Sequence, residues 1–280
     1  MGRLTILLFV LFIFNSCSTD SEIETESFDT NTSLSFTNLS YGENENQTYD
    51  IYLPKDRTLN TKILLLIHGG GWTAGDKSEM NGFKDFLIQG FPNVAVVNMN
   101  YRLADPNNSP YPMQTNDITT LVNEIRAKKE QYQIGTELGI MGISAGGHLG
   151  LLWSYAKDTE NQVKFVCSVV GPTNLLDEAY QNTQDPNLKG LINLFGTDQN
   201  TLEEASPLYQ VKSDSPPTLL FYGGQDPLIP ITQGIDLDSR LTELNVQHEF
   251  TLYENEGHGW IGENLFDTSI KLKAFIEKHL

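Results

Sequence analysis

Gly142-Ile143-Ser144-Ala145-Gly146 sets a serine between glycines where an apolar stretch, Leu138–Ile143, meets a helix-favouring one, Ala145–Ala156. A tight strand-to-helix turn pushes such a serine into strained backbone geometry. Flanking glycines let strand and helix approach without Cβ clashes. The helix N-terminus brings a positive dipole and free N–H groups to the same point. A serine hydroxyl is a weak nucleophile until a base takes its proton and a third group orients the base.

Five histidines are available as that base. His248 sits inside an alternating strand pattern and His279 at the chain end. His148 lies one turn past Ser144 and points into the fold, and His68 belongs to a glycine-rich loop. His258 remains, in Glu256-Gly257-His258-Gly259-Trp260, a loop after the last strand whose glycines leave the ring free to reach Ser144. Asp226 is the candidate acid, in a turn after the apolar run Pro217–Tyr222 and ahead of Pro227. Asp236 and Asp238 are rivals, on a helical stretch that reads as solvated face. His68-Gly69-Gly70-Gly71-Trp72 follows another apolar run. The Gly70 and Gly71 N–H groups, with that of Ala145, can converge on a developing oxyanion. A phosphate-cradling loop would carry G-x-x-x-x-G-K-[ST], which the sequence lacks.

These residues fall at the ends of short apolar runs separated by helical patterns. Strands are expected over 33–39, 47–53, Lys62–Ile67, Val94–Met99, Leu138–Ile143, Val163–Val170, Pro217–Tyr222 and His248–Tyr253. Helices are expected over 78–90, around Ile118–Ile125 with Asp117 as a first-turn acid, over Ala145–Ala156, around Leu237–Leu244, and at Leu272–Ile276. Strands buried on both faces and joined by helices imply an α/β fold: a mostly parallel central sheet covered by helices on both faces. Residues 174–215 break the rhythm and read as a small cap insert, and 34–280 as one domain.

Composition narrows the classes. The chain has 280 residues, 39% hydrophobic and 10% aromatic, enough for a substantial core rather than a disordered chain. Its formal net charge is −18 and it has no basic run, which argues against nucleic acid as a partner. Two cysteines cannot build a disulfide scaffold or a four-cysteine zinc site. Arg3 followed by the apolar run Leu4–Phe14 reads as a secretory signal peptide over 1–16. Ser16-Cys17 resembles the lipobox of bacterial lipoproteins, which implies lipidation at Cys17 and a membrane held through an N-terminal lipid anchor. The location expected is the outer membrane or cell surface, or else the periplasm or medium. Residues 17–33, rich in acid and poor in large apolar residues, read as a tether. Cys167 reads as a buried thiol. Nothing in these residues fixes the oligomeric state.

From about Lys62 onward the chain resembles the α/β-hydrolase superfamily. HGGGW at 68–72, Asn100-Tyr101-Arg102-Leu103, Ser144-Ala145-Gly146-Gly147-His148-Leu149, Ala205-Ser206-Pro207 and Gly257-His258-Gly259-Trp260 together resemble its hormone-sensitive-lipase-like and feruloyl/acetyl-esterase-like (BD-FAE) branches; the serine motif leans toward the second. The resemblance implies serine-dependent ester hydrolysis through an acyl-enzyme, without metal or organic cofactor. Trp72 and Trp260, each beside a catalytic loop, are expected to line the pocket mouth as stacking faces. They point to a small-molecule or polysaccharide ester, with acetyl or feruloyl groups on carbohydrate. An arylformamidase-like amidase is the alternative, since HGGGW also fits HGGxW. A small-peptide peptidase and a non-catalytic binding lipoprotein stand further off.

Overall fold

A computed structural model describes residues 27–280. Its centre is an eight-stranded sheet of β1 (Leu34–Ser40), β2 (Thr48–Leu53), β3 (Ile63–Ile67), β4 (Ala95–Met99), β5 (Leu138–Ile143), β6 (Val163–Val169), β7 (Thr218–Gly223) and β8 (His248–Tyr253). The spatial order is β1-β2-β4-β3-β5-β6-β7-β8. β2 pairs antiparallel with β1 and β4, and every pairing from β4 to β8 is parallel. β3, β4 and β7 are buried at every residue, as strands covered on both faces must be.

Among the described residues, ten α-helices connect and cover the strands: α1 (Asn81–Gly90), α2 (Pro110–Ala127), α3 (Lys129–Tyr132), α4 (Ala145–Ala156), α5 (Glu178–Gln181), α6 (Pro186–Asn193), α7 (Gln199–Glu204), α8 (Pro207–Gln210), α9 (Thr232–Glu243) and α10 (Glu263–His279). Side-chain alternation decides which face meets which helix. Ile140 of β5 packs on Gly150 of α4. Its neighbour Gly139 leaves room for Phe165 of β6, which meets Phe275 of α10 edge-on at 5.9 Å. α4 packs with α2 and α8, and α8 with α9, on one side. α10 covers the other side, where Lys273 lies over the Phe91 ring at the end of α1.

Several expectations need correction. The helix expected over 78–90 is a 3₁₀ turn, Lys77–Met80, followed by α1; the Asp76 side chain caps the turn through the Ser78 N–H. α2 is broken at Tyr111 (φ −106°, ψ 133°), and its continuous part runs from Pro112, so Asp117 lies past the first turn of the helix around Ile118. Asp117 is fully buried and paired with Arg102 (2.6 Å). An apolar repeat marks only the core-facing stretch of a helix, and the polar turns ahead of Ile118 carry none. At the other end, Phe28 stacks on Phe36 and Tyr132. The buried Arg57 guanidinium donates to the carbonyls of Asp29 (2.7 Å) and Thr32 (3.0 Å). The stretch 28–33, expected as tether, therefore lies against the domain. The expected signal peptide, Cys17 and the first part of the tether lie outside the described residues.

Within 174–215, α5 to α8 are short helices started by local chemistry. Asp177, Asp185 and Asp198 accept from the N–H groups of Ala179, Asn187 and Thr201, and Pro186 and Pro207 occupy first-turn positions.

Candidate active site

The loops that leave the C-terminal ends of β3, β5, β7 and β8 meet on one edge of the sheet, where open α/β sheets gather their functional residues. Ser144 follows β5 with φ 53° and ψ −122°. For a non-glycine residue this geometry costs about 1–3 kcal/mol. The surroundings hold it there. Ser144 N–H donates to the Val169 carbonyl (2.8 Å), and its carbonyl accepts the His148 N–H (3.0 Å). A Cβ on Gly142 would stand 2.1 Å from the Gly146 carbonyl oxygen, and one on Gly146 would stand 2.2 Å from that of Ile67. Both glycines of the motif are therefore required by backbone packing.

His258 Nε2 lies 3.0 Å from Ser144 Oγ, and its Nδ1 lies 2.7 Å from Asp226 Oδ2. The Asp226 side chain is 1% exposed, and its Oδ1 accepts the Leu228 (2.8 Å) and Ile229 (3.0 Å) N–H groups. The structure thus brings together the three residues singled out in the sequence, from three separate loops. His248 instead faces Asp238 at 3.2 Å, and His279 packs on Phe275. His148 is fully buried; its Nε2–H donates to the Ala205 carbonyl (2.7 Å), and burial lowers its pKa to about 4.

The close approach of the acid and histidine loops does not depend on Gly257 and Gly259, which have no positive φ. It depends on Gly223 and Gly224. A Cβ on Gly223 would stand 2.1 Å from the Gly257 carbonyl oxygen, and one on Gly224 would stand 2.6 Å from that of Glu254. Gly224 N–H to Tyr253 O (2.9 Å) and Gln225 N–H to Glu256 O (2.8 Å) stitch the two loops together.

Beside Ser144, the loop after β3 turns through Gly70 (φ 104°), Gly71 (φ 57°) and Trp72 (φ 64°). Among the described residues, the N–H groups of Gly70, Gly71 and Ala145 have no acceptor, and all three residues border the same cavity as Ser144 and His258. Tyr101 Oη–H reaches the carbonyls of His68 (3.0 Å) and Gly69 (2.9 Å), and its ring stacks on His68 at 4.3 Å. His68 Nδ1–H donates to Gly69 O (2.7 Å), and burial lowers the ring's pKa, keeping it neutral. Trp72 O accepts from Ala104 N–H (2.8 Å) and Gln114 Nε2 (2.7 Å). Arg102 and Asp117 pin that second segment in turn. No chemical signal in the residues pointed to this brace; the Asn100–Leu103 signature was its one visible trace.

The two expected stacking residues differ: Trp72 borders the cavity that holds Ser144 and His258, and Trp260 does not. Trp72 is 3% exposed, with its Nε1–H on His148 Nδ1 (3.1 Å) and Phe195 edge-on at 4.9 Å. Trp260 donates to Thr268 Oγ1 (2.8 Å) and packs on Tyr253 at 4.8 Å, outside the cavity.

The cavity over Ser144 measures about 510 Å³. Its apolar walls include Met80, Leu188, Leu191, Ile192, Leu228 and Ile229. Glu79 and Tyr180 add polar side chains that sequence reasoning did not single out. The arrangement can move a proton between serine and histidine and receive negative charge on backbone amides.

The sequence model of the BD-FAE family matches residues 49–241. Esterase LipC of Mycobacterium tuberculosis is 24% identical over 240 residues, covering 79% of this chain and 58% of that protein. The kynurenine formamidase of Salmo salar is 28% identical over 148 residues, 50% of this chain and 46% of the relative. The chain thus spans about half the length of these relatives. Among solved structures, a truncated form of carbohydrate esterase from gut microbiota aligns with TM-score 0.70 at 22% identity, covering 89% of this chain and 99% of that one. The shared fold is that of the α/β-hydrolases.

Proposed function

The chain belongs to the BD-FAE family, and from that membership and the site we propose that it is a serine-dependent carboxylic ester hydrolase working through an acyl-enzyme on acetyl or feruloyl esters of carbohydrates. One observation carries the reading: His258 bridges Ser144 Oγ and the enclosed Asp226 carboxylate, beside three unpaired backbone N–H groups. Neutral His258 takes the Ser144 proton through Nε2 as Oγ attacks the ester carbonyl. Asp226 holds the proton on Nδ1 and stabilises the imidazolium. Gly70, Gly71 and Ala145 N–H groups receive the oxyanion, His258 protonates the departing alcohol, and a water activated by the same ring releases the acid.

A carbohydrate alcohol is supported by the family and by the fold shared with a gut carbohydrate esterase, not by the two tryptophans. Labelling by a fluorophosphonate probe, lost in Ser144→Ala, tests the nucleophile. Release of acetate or ferulate from acylated xylo-oligosaccharides tests the substrate. An absent label would end the reading, whereas a label without release would restrict it to simple esters.

HGGGW and the formamidase relative favour a second reading, hydrolysis of an aryl formamide. N-formylkynurenine turned over faster than any ester would establish it. We further propose that Cys17 carries a lipid, so that Cys17→Ala moves the protein from the membrane fraction to the soluble one.

A further inference from the structure

The acyl and alcohol halves of an ester lie in different parts of this cavity. The carbonyl oxygen must meet the Gly70, Gly71 and Ala145 N–H groups, and the leaving oxygen must lie near His258 Nε2, from which it takes its proton. Leu228 and Ile229 follow Asp226 and wall the histidine side. The acyl group is left with the glycine side, walled by Met80 and by Leu188, Leu191 and Ile192 of α6. There, one side chain stands against the loop itself. A methyl group placed on Gly71 would lie 3.1 Å from Leu191 Cδ1 and 3.3 Å from its Cδ2.

Packing fixes this approach. Phe195, just beyond α6, is 2% exposed and sits edge-on to Trp72 (4.9 Å) and His148 (5.7 Å). Trp72 is the residue after Gly71, and its indole N–H is held by His148, whose other ring nitrogen is held by Ala205 O. The cap helix and the oxyanion loop are thus clamped through one aromatic cluster. The α6 backbone that carries Leu191 cannot withdraw from Gly71 without breaking this cluster.

Resting on the ester-hydrolase reading above, we infer that Leu191 is the acyl-size gauge of this site, selecting acetyl over longer and aromatic acyl groups. The acyl carbon next to the carbonyl must pass the Leu191 methyls, so each added methylene meets this wall first. A single methylene in an apolar pocket changes discrimination by about 10- to 200-fold.

The test compares kcat/KM for wild type, Leu191→Ala and Leu191→Phe on two ester series. One varies the acyl group (acetyl, butyryl, hexanoyl) on p-nitrophenol. The other keeps acetyl and varies the alcohol (p-nitrophenol, naphthol, xylo-oligosaccharide). Leu191→Ala should raise the butyryl-to-acetyl ratio about tenfold or more, and Leu191→Phe should lower it by a similar factor. Neither should move the ratios in the alcohol series more than about twofold. Unchanged acyl ratios, or changes confined to the alcohol series, would overturn the assignment while leaving the esterase standing. A wild type that neither labels at Ser144 nor cleaves acetyl esters would remove the esterase reading, and the gauge with it.

Discussion

Replacing Asp226 by asparagine should disable the site without disturbing its shape, and the hydrogen bonds around the residue say why. Oδ1 accepts two backbone N–H groups, from Leu228 and Ile229, at 2.8 and 3.0 Å. Oδ2 accepts His258 Nδ1–H at 2.7 Å. In the amide, the remaining oxygen must stay on the backbone side, since turning the NH₂ there would set donor against two donors. The NH₂ is then forced toward Nδ1. His258 can answer only by accepting at Nδ1 and carrying its proton on Nε2, 3.0 Å from Ser144 Oγ, where a base is required. In serine-protease triads the equivalent change lowers kcat about 10⁴-fold, or about 5.5 kcal/mol of transition-state stabilisation. The same loss is expected here in kcat on p-nitrophenyl acetate, measured at pH 8 with KM nearly unchanged. Asp226→Ala should behave differently: it imposes no wrong tautomer but strands both N–H groups, at about 1–3 kcal/mol each. It should therefore unfold earlier than Asp226→Asn while keeping at least as much activity. An asparagine variant retaining more than about a tenth of wild-type kcat would refute the tautomer argument.

Gly146→Ala should give little folded protein, because the new methyl would stand 2.2 Å from the Ile67 carbonyl oxygen, a backbone atom of the sheet that has no room to move; a soluble, cooperatively unfolding variant would contradict that. His148, fully buried with its pKa lowered to about 4, stays neutral in the fold while the unfolded chain takes up a proton below about pH 6.5. Stability should therefore be level above that pH and fall by up to about 3 kcal/mol as pH drops toward 4. Urea unfolding of wild type and His148→Gln across this range checks it, and equal slopes for the two would sink the assignment. Trp260→Ala should lower the unfolding temperature through lost contact with Tyr253 and Thr268. It should also reduce turnover of sugar and aryl esters in the same proportion; a selective loss on sugar esters would restore the stacking role.

The chemistry was legible in the sequence wherever it was written in a few neighbouring residues. The elbow is five consecutive positions; a Cβ on its first glycine would clash inside the motif's own turn, and one on its last would clash with the backbone at the end of β3. The central strands announced themselves as apolar runs because both faces of the sheet are covered there, and β5, β8 and α4 have the expected boundaries. The acid and base could be named because each follows a strand, and parallel strands deliver their C-terminal ends to one edge.

What the sequence left open were choices between equivalent local options, decided by partners far along the chain. Trp72 and Trp260 could each have faced the mouth or the interior; His148, Phe195, Tyr253 and Thr268 decided for the interior. Asp117 read as a first-turn acid, and only the fold shows it buried against the Arg102 guanidinium. Gly223 and Gly224 read as an ordinary turn, yet they are what lets the histidine loop lie against the acid loop. Leu191 carried no signal at all, since a leucine in a short helix becomes a wall only when packing sets that helix against Gly71. Local patterns fix which groups can react and which segments are strands, because those follow from bonded geometry and periodicity. Which side chain stands next to which is a property of packing, and only the folded chain decides it.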